Sequence, residues 1–142
     1  MEYRIENLEQ GRVLQILLET DSLFDPPLST VVRLDEYSVK LSSNAHFALA
    51  HQAGSLAGVI AFYLNDEARQ IYVPYVVVFP QFRKQHVSTD LMEYVIRNNS
   101  SYTSVALEVV KSNSAALDMY KKLDFEVIED RDHTYLMRRS TR

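Results

Sequence analysis

The chain has 142 residues, 46% hydrophobic and 24% charged, a profile that supports one globular domain with a core of ordinary size. A net charge of -4 argues against nucleic acid as a partner, and the lack of cysteine excludes disulfides, thiolate nucleophiles and cysteine metal sites. The four histidines form no i, i+4 pair, MEYRIENLEQ has no leader-like pattern, and no apolar run nears the roughly 20 residues of a membrane helix, so the expectation is a cytoplasmic protein with no metal and no membrane partner.

In chain order, Tyr3 and Ile5 alternate with polar neighbours and predict a short first strand. Leu8, Val13, Leu14, Ile16, Leu17 and Leu18 predict a helix over 8–20; the DPP of 25–27 then forces a loop, with Phe24 and Leu28 as its apolar members. Leu34, Tyr37 and Leu41 predict a second helix to about Ser43. Strands follow at 45–51, 56–64 and 70–78, separated by QAGS and NDEA, both suited to hairpin turns. Val87, Leu91, Tyr94 and Val95 predict a helix to about Asn98, strand 104–110 precedes a helix over 114–123, and runs 125–129 and 133–138 read as a closing hairpin around the charged turn 130–132. With no repeat, linker or composition shift, this is a single α/β (α+β) domain over residues 1–142, its sheet mixed and its centre a βαβ crossover.

Two local features stand out. Pro74 interrupts a run that otherwise reads as a central strand, and it cannot donate to a ladder. Either the strand is bulged just before Val76, leaving backbone groups free for a ligand, or it is an edge strand. Residues 78–88, VFPQFRKQHVS, run from a strand through a basic turn into a helix. The unpaired N–H groups of such a turn, the helix dipole of about half a positive charge, and Arg83 with Lys84 make it an anion site.

The element order and two motifs resemble the GNAT superfamily of acetyl-CoA-dependent N-acetyltransferases over essentially the whole chain, most closely from Phe47 to Phe125. The first motif is Val78-Phe79-Pro80-Gln81-Phe82-Arg83 followed by Lys84-Gln85-His86-Val87-Ser88, with His86 where the family has glycine and Ser88 where it has a small residue. The second is Leu107-Glu108-Val109, Asn113-x-x-Ala116-x-x-x-Tyr120 and Leu123-Asp124-Phe125, with Asp124 replacing glycine. The resemblance implies a largely antiparallel seven-stranded sheet, splayed between strands 4 and 5 and flanked by about four helices. It implies that Arg83, Lys84, Gln85, His86, Val87 and Ser88 cradle the pyrophosphate of acetyl-CoA, and that backbone groups of Val76, Val77 and Val78 hold its acetyl carbonyl and pantetheine amides. It further implies that Asn113, with Ala116, steadies the pantetheine arm and helix start, that Tyr120 faces the thioester sulfur, and that Glu108 is the base, as in ribosomal-protein N-terminal acetyltransferases.

Chemistry permits these roles without settling them. A tyrosine, with an ordinary pKa near 10, is protonated at pH 7 and could serve the departing sulfur as an acid. Yet Tyr120 also lies in an i, i+4, i+7 stripe with Ala116 and Leu123, where a core tyrosine would sit. Strand alternation puts Ala106, Glu108 and Val110 opposite Leu107 and Val109, so Glu108 either points into the cleft or is a solvated or cross-strand-paired carboxylate, with Tyr72 or Tyr75 and a water chain as the substitute base. The acceptor is expected to be a small-molecule or peptide amine. Asp35, Glu36, Glu129 and Asp130 are candidates for its charge, and Phe24, Leu28 and Tyr37 for its apolar body. The arginines 131, 138, 139 and 142 read as a solvated tail, and exposed strand edges could pair two copies into a homodimer. The alternative function is a non-catalytic acyl-CoA-binding regulatory module, motivated by the glycines lost at His86 and Asp124.

Overall fold

The computed structural model describes residues 1–141. Its elements are β1 (Glu2–Glu6), α1 (Gln10–Thr20), α2 (Leu34–Asn44), β2 (His46–Gln52), β3 (Ser55–Asn65), β4 (Gln70–Val78), α3 (Val87–Arg97), β5 (Ser104–Val110), α4 (Ser114–Lys122), β6 (Glu126–Asp130) and β7 (Thr134–Ser140). This is the order read from the sequence, with β4 and β5 at the expected bounds. Short 3-10 turns at Asp21–Leu23, Leu28–Thr30 and Pro80–Phe82 add local order to what reads only as loop. The β2–β3 hairpin turns at Ala53 and Gly54, both at positive φ, which is the pattern of a two-residue turn matched to strand twist. Among the described residues, no helix is long and apolar enough to cross a membrane.

The seven strands form one sheet in the order β1-β2-β3-β4-β5-β7-β6, antiparallel throughout except where β4 meets β5. Each face carries its own core. Leu91, Met92 and Val95 of α3 and Tyr120 of α4 pack with Ile60, Ile71 and Leu107 on one face. On the other, Val13, Ile16 and Leu17 of α1 and Leu41 of α2 pack with Phe47, Val59 and Tyr75. Burying side chains of this size contributes about 1.5–3 kcal/mol each, enough to fix both helical layers on the sheet.

Pro74 produces a bulge, and the edge-strand alternative is ruled out because β4 lies between β3 and β5. Ala61 pairs with Tyr75 and Tyr63 with Tyr72, so Val73 and Pro74 together oppose Phe62. The extra residue flips the strand. Ile71 and Val73 face the α3–α4 core, whereas Tyr75 and Val77 face the α1–α2 core, although all four are odd-numbered. Parallel pairing to β5 covers Gln70–Val73 against Ser104–Leu107 and then stops, while both strands run on to Val78 and Val110. That divergence is the cleft.

Two of the four arginines expected in a solvated tail are engaged in the fold, while Arg138 is exposed on β7. Arg139 is mostly buried on the α3–α4 face, donating to Glu93 Oε1 at 3.0 Å and to the Leu123 carbonyl at 3.2 Å, and so ties the two helices together. Arg131 is paired with Glu108 and Glu129. Arg142 lies outside the described residues.

Gly58 sets how closely α3 approaches the sheet. A Cβ added there would lie 2.9 Å from Val87 Cγ1 and 3.2 Å from the Val77 carbonyl oxygen, so α3 could not stay seated. Gly58→Ala is therefore expected to destabilise the protein by about 1–3 kcal/mol, as overpacking does, measured as a lower urea midpoint. An unchanged midpoint would show that Val87 gives way freely.

Candidate active site

A cleft of about 850 Å³ opens where β4 and β5 part, lined by Val76, Val77, Val78 and Glu108 along the strands, by Arg83, Lys84, His86 and Ser88 at one end, and by Asn113, Ala116 and Tyr120 on α4. The sequence motifs thus converge on one opening. Gln85 stands in the same turn.

The basic turn is open to solvent from Arg83 to His86, and among the described residues neither Arg83 nor Lys84 is in an ion pair. The N–H groups of Lys84, Gln85, His86, Val87 and Ser88 have no hydrogen-bond partner among the described residues. Free amides at a helix start are anion donors. Lys84 and His86 take φ values of 64° and 60°, the left-handed region in which glycine is ordinarily found. His86 thus adopts the backbone shape the missing glycine would supply, at some local strain. The Ser88 hydroxyl bonds Met119 Sδ at 3.2 Å and links α3 to α4.

Asn113 caps α4, its Oδ1 accepting from Ala116 N–H at 3.0 Å. At the other end Asp124, at φ 69°, closes the helix in the left-handed turn that glycine usually provides. Asp124 N–H donates to the Lys121 carbonyl at 3.1 Å and Phe125 N–H to the Tyr120 carbonyl at 3.0 Å. The Phe125 ring then meets the Tyr120 ring edge-on, centroids 5.5 Å apart. Leu123-Asp124-Phe125 is thus the device that aims Tyr120.

Tyr120 belongs to both readings the sequence left open, since it is 7% exposed in the core and also lines the cleft. Its hydroxyl has no hydrogen-bond partner among the described residues, and burial pushes its pKa up to about 12. Glu108 comes from the opposite face of β5, away from Leu107 and Val109 in the α3–α4 core. Its carboxylate is held three ways: Arg131 Nη1 at 2.7 Å and Tyr72 hydroxyl at 3.3 Å on Oε1, and Thr134 hydroxyl at 2.8 Å on Oε2. The pointing-in and cross-strand-paired alternatives therefore hold at once.

Tyr75 lines the cleft, but its hydroxyl is committed to the core. Its hydroxyl donates to Thr20, which donates to the Ile16 carbonyl at 2.7 Å, all within the buried core. Phe24 packs on the Tyr75 ring, centroids 5.5 Å apart, and lines the cleft with Leu28. The acidic acceptor candidates are already engaged: Asp35 and Glu36 with Arg33, Glu129 with Arg131, and Asp130 with Lys111. Sequence reading missed Arg131 and Thr134 as partners of Glu108. The β5–β7 register could have found Thr134, because Val110 opposes Thr134 and Glu108 opposes Leu136 on that face. Among the described residues, no group of His, Asp or Glu could hold a metal ion.

Two outcomes are expected. Asp124→Val, a β-branched residue in a left-handed turn, should lower stability by about 1–2 kcal/mol while Asp124→Gly does not; equal effects on thermal melting would refute the cap. Burial also raises Tyr37, Tyr72 and Tyr75, with Tyr72 brought to about 12 by burial first and Glu108 second. The folded state holds these protons more tightly than an unfolded chain whose tyrosines titrate near 10. The stabilisation is whole below pH 10 and fades as pH rises toward 12, so the urea midpoint should drop across that window. Ionisation of all nine tyrosines near pH 10 in a still-native protein, followed at 295 nm, would contradict this.

The geometry agrees with relationships seen among known proteins. Solved structures sharing the fold include the PaiA N-acetyltransferase of Thermoplasma acidophilum in complex with coenzyme A (TM-score 0.77, 14% identity, 99% of each chain covered). The ribosomal-protein-S18-alanine N-acetyltransferase of Escherichia coli superposes with a TM-score of 0.76 at 17% identity, over 99% of this chain and 94% of that one. Ard1 from Thermoplasma volcanium does so with a TM-score of 0.70 at 20% identity, over 99% and 98%. No curated protein matches the sequence. The model of the Acetyltransferase (GNAT) family matches residues 12–125, and the chain belongs to that family.

Proposed function

We propose that this chain moves an acetyl group from acetyl-CoA to a primary amine, on a small molecule or a peptide, by direct attack within a ternary complex. The observation that carries the reading is the alignment along one cleft of the free amides of Lys84–Ser88, the β4 backbone left unpaired by β5, and the unpartnered Tyr120 hydroxyl. The amides, with Arg83 and Lys84, take the diphosphate of the coenzyme. The thioester arm lies along Val76–Val78, where an N–H can polarise the carbonyl as charge develops on its oxygen. Coenzyme A in the PaiA structure supports the choice of anion.

The amine nitrogen forms a bond to the thioester carbon, the C–S bond breaks, and the sulfur leaves as thiolate. Tyr120 supplies a hydrogen bond to that sulfur. A phenol near 12 gives its proton to a thiolate near 8.5 only uphill, so its main contribution is to stabilise developing charge, with the amine's own proton ending on the thiol. Glu108, in the same cleft but reached from the other face, takes the first proton from the acceptor ammonium and so frees its lone pair; the second, lost from nitrogen after attack, is the one that ends on the thiol. The regulator alternative loses its motivation, since His86 and Asp124 both adopt the conformation of the glycines they replace.

The expected results are binding of acetyl-CoA by calorimetry and thiol release with at least one amine of a panel. Binding without turnover on any amine would favour the regulator. Tyr120→Phe should lower kcat roughly 100-fold while leaving acetyl-CoA affinity unchanged. An unaltered kcat would return Tyr120 to a purely structural place.

A further inference from the structure

His86 fills the glycine position of the basic turn and brings a side chain that glycine lacks. Its backbone is pinned. The carbonyl accepts from Asp90 N–H at 2.9 Å, an early bond of α3, and the next residue, Val87, is buried against Gly58. The ring is not pinned. His86 is exposed and lines the cleft, and among the described residues its imidazole has no hydrogen bond, ion pair or ring contact. The other histidines are placed differently: His46 against Phe62, His51 in β2 with a buried Nδ1, and His133 beside Asp132. An anion gripped by the free N–H groups of Lys84–Ser88 lies within reach of a ring carried on the middle residue of that set.

We infer that the His86 imidazole is a titrating cation of the coenzyme site: it takes up a proton as the diphosphate docks, so acetyl-CoA is held more tightly as pH falls. This rests on the transferase reading above and adds a pH response that a glycine at this position has no means of giving. Histidine is the side chain whose charge ordinarily changes between pH 5 and 8. Before an anion docks, a proton on the ring adds its charge beside Arg83, Lys84 and the positive end of α3, all of one sign. A docked diphosphate reverses the sign of that potential and draws the proton in from solvent.

The other charges facing the turn belong to carboxylate and ammonium side chains, whose ordinary titration lies outside that range. Asp118 and Lys122 of α4 line the same cleft, and Glu108 of β5 is paired with Arg131. Asp90, one turn along α3, accepts from the Tyr3 hydroxyl at 3.4 Å. Strands β3 and β4 carry no charged side chain, and burial keeps the hydroxyls of Tyr75 and Tyr120 protonated. His86 is therefore the group of this turn suited to answer pH near neutrality.

The test titrates acetyl-CoA into the wild type and His86→Asn between pH 5.5 and pH 8, by calorimetry in two buffers of different ionisation enthalpy. Asparagine tolerates the left-handed backbone and carries no charge, so the turn keeps its shape. The coenzyme's own phosphates titrate alike in both experiments, and the difference between the proteins isolates residue 86. The expectation is that the wild type gains about fivefold in affinity from pH 8 to pH 5.5 relative to His86→Asn, the size of one charge near a solvated anion. On binding near pH 6.5 the wild type also takes up a few tenths of a proton more than the variant. In the wild type alone, the proton NMR signal of the His86 ring moves toward its charged position when acetyl-CoA is added at that pH. Equal pH dependence and proton uptake in the two proteins, or a ring signal that acetyl-CoA leaves in place, overturns the inference while the transferase reading stands. Binding of acetyl-CoA by neither protein at any pH overturns both.

Discussion

Pro74 cannot donate to a ladder, and it occupies a strand that has neighbours on both sides. The bulge that accommodates it has two consequences that no surface feature could produce. It moves Tyr75 and Val77 onto the α1–α2 face while Ile71 and Val73 stay on the other, so β4 is stitched into both cores. It also coincides with the end of pairing to β5, which exposes backbone groups inside an otherwise closed sheet. The strain of an interrupted ladder is held by apolar burial on both faces, including Tyr75 anchored to Thr20 under α1. The strand walls of the cleft are therefore continuous with the two cores.

The same logic of local departure held by nearby packing governs the two helices that border the cleft. Both start or end with a residue in the left-handed region that is not glycine: His86 before α3 and Asp124 after α4. Each costs on the order of 1 kcal/mol against a relaxed backbone. At Asp124 the compensation is visible, in two backbone bonds and an edge-on contact between Phe125 and Tyr120. At His86 it comes from Val87, buried against Gly58, which pulls the helix start onto the sheet. Positive φ matters at these positions more than the absence of a side chain, which is why histidine and aspartate serve.

Much of this was legible in the residues. Apolar runs gave β4 and β5 their bounds, Pro74 marked the place of either a bulge or an edge, and the family resemblance set Asn113 at the start of the helix that carries Tyr120. What stayed hidden depended on contacts between distant segments. Alternation alone puts residues 71, 73, 75 and 77 of β4 on one face, and only the β3 register shows that they divide. The carboxylates chosen for an acceptor's charge looked equivalent because ion pairing is a property of the fold. Arg139 looked like tail because its burial depends on α3 and α4 meeting behind β7.

For a chain with a net charge of -4 to hold a polyanion, as the proposed function requires, its positive charges must be free where they are used and its negative charges occupied elsewhere. The first half of that condition is met at the start of α3 and the second only in part, since Asp118 lines the cleft without an ion pair among the described residues. Arg83 and Lys84 are in no ion pair among the described residues and stand beside unclaimed amides, so the field at the start of α3 is not cancelled locally. Across the cleft, Glu108, Glu129 and Asp130 are each matched by Arg131 or Lys111, which keeps their field from opposing the anion's approach. Exposed pairs of this kind contribute little to stability, about 0–1 kcal/mol each. Their value is in what they neutralise. The basic end of the cleft keeps its field, and the carboxylate of Glu108 at the other end is neutralised where it stands by Arg131.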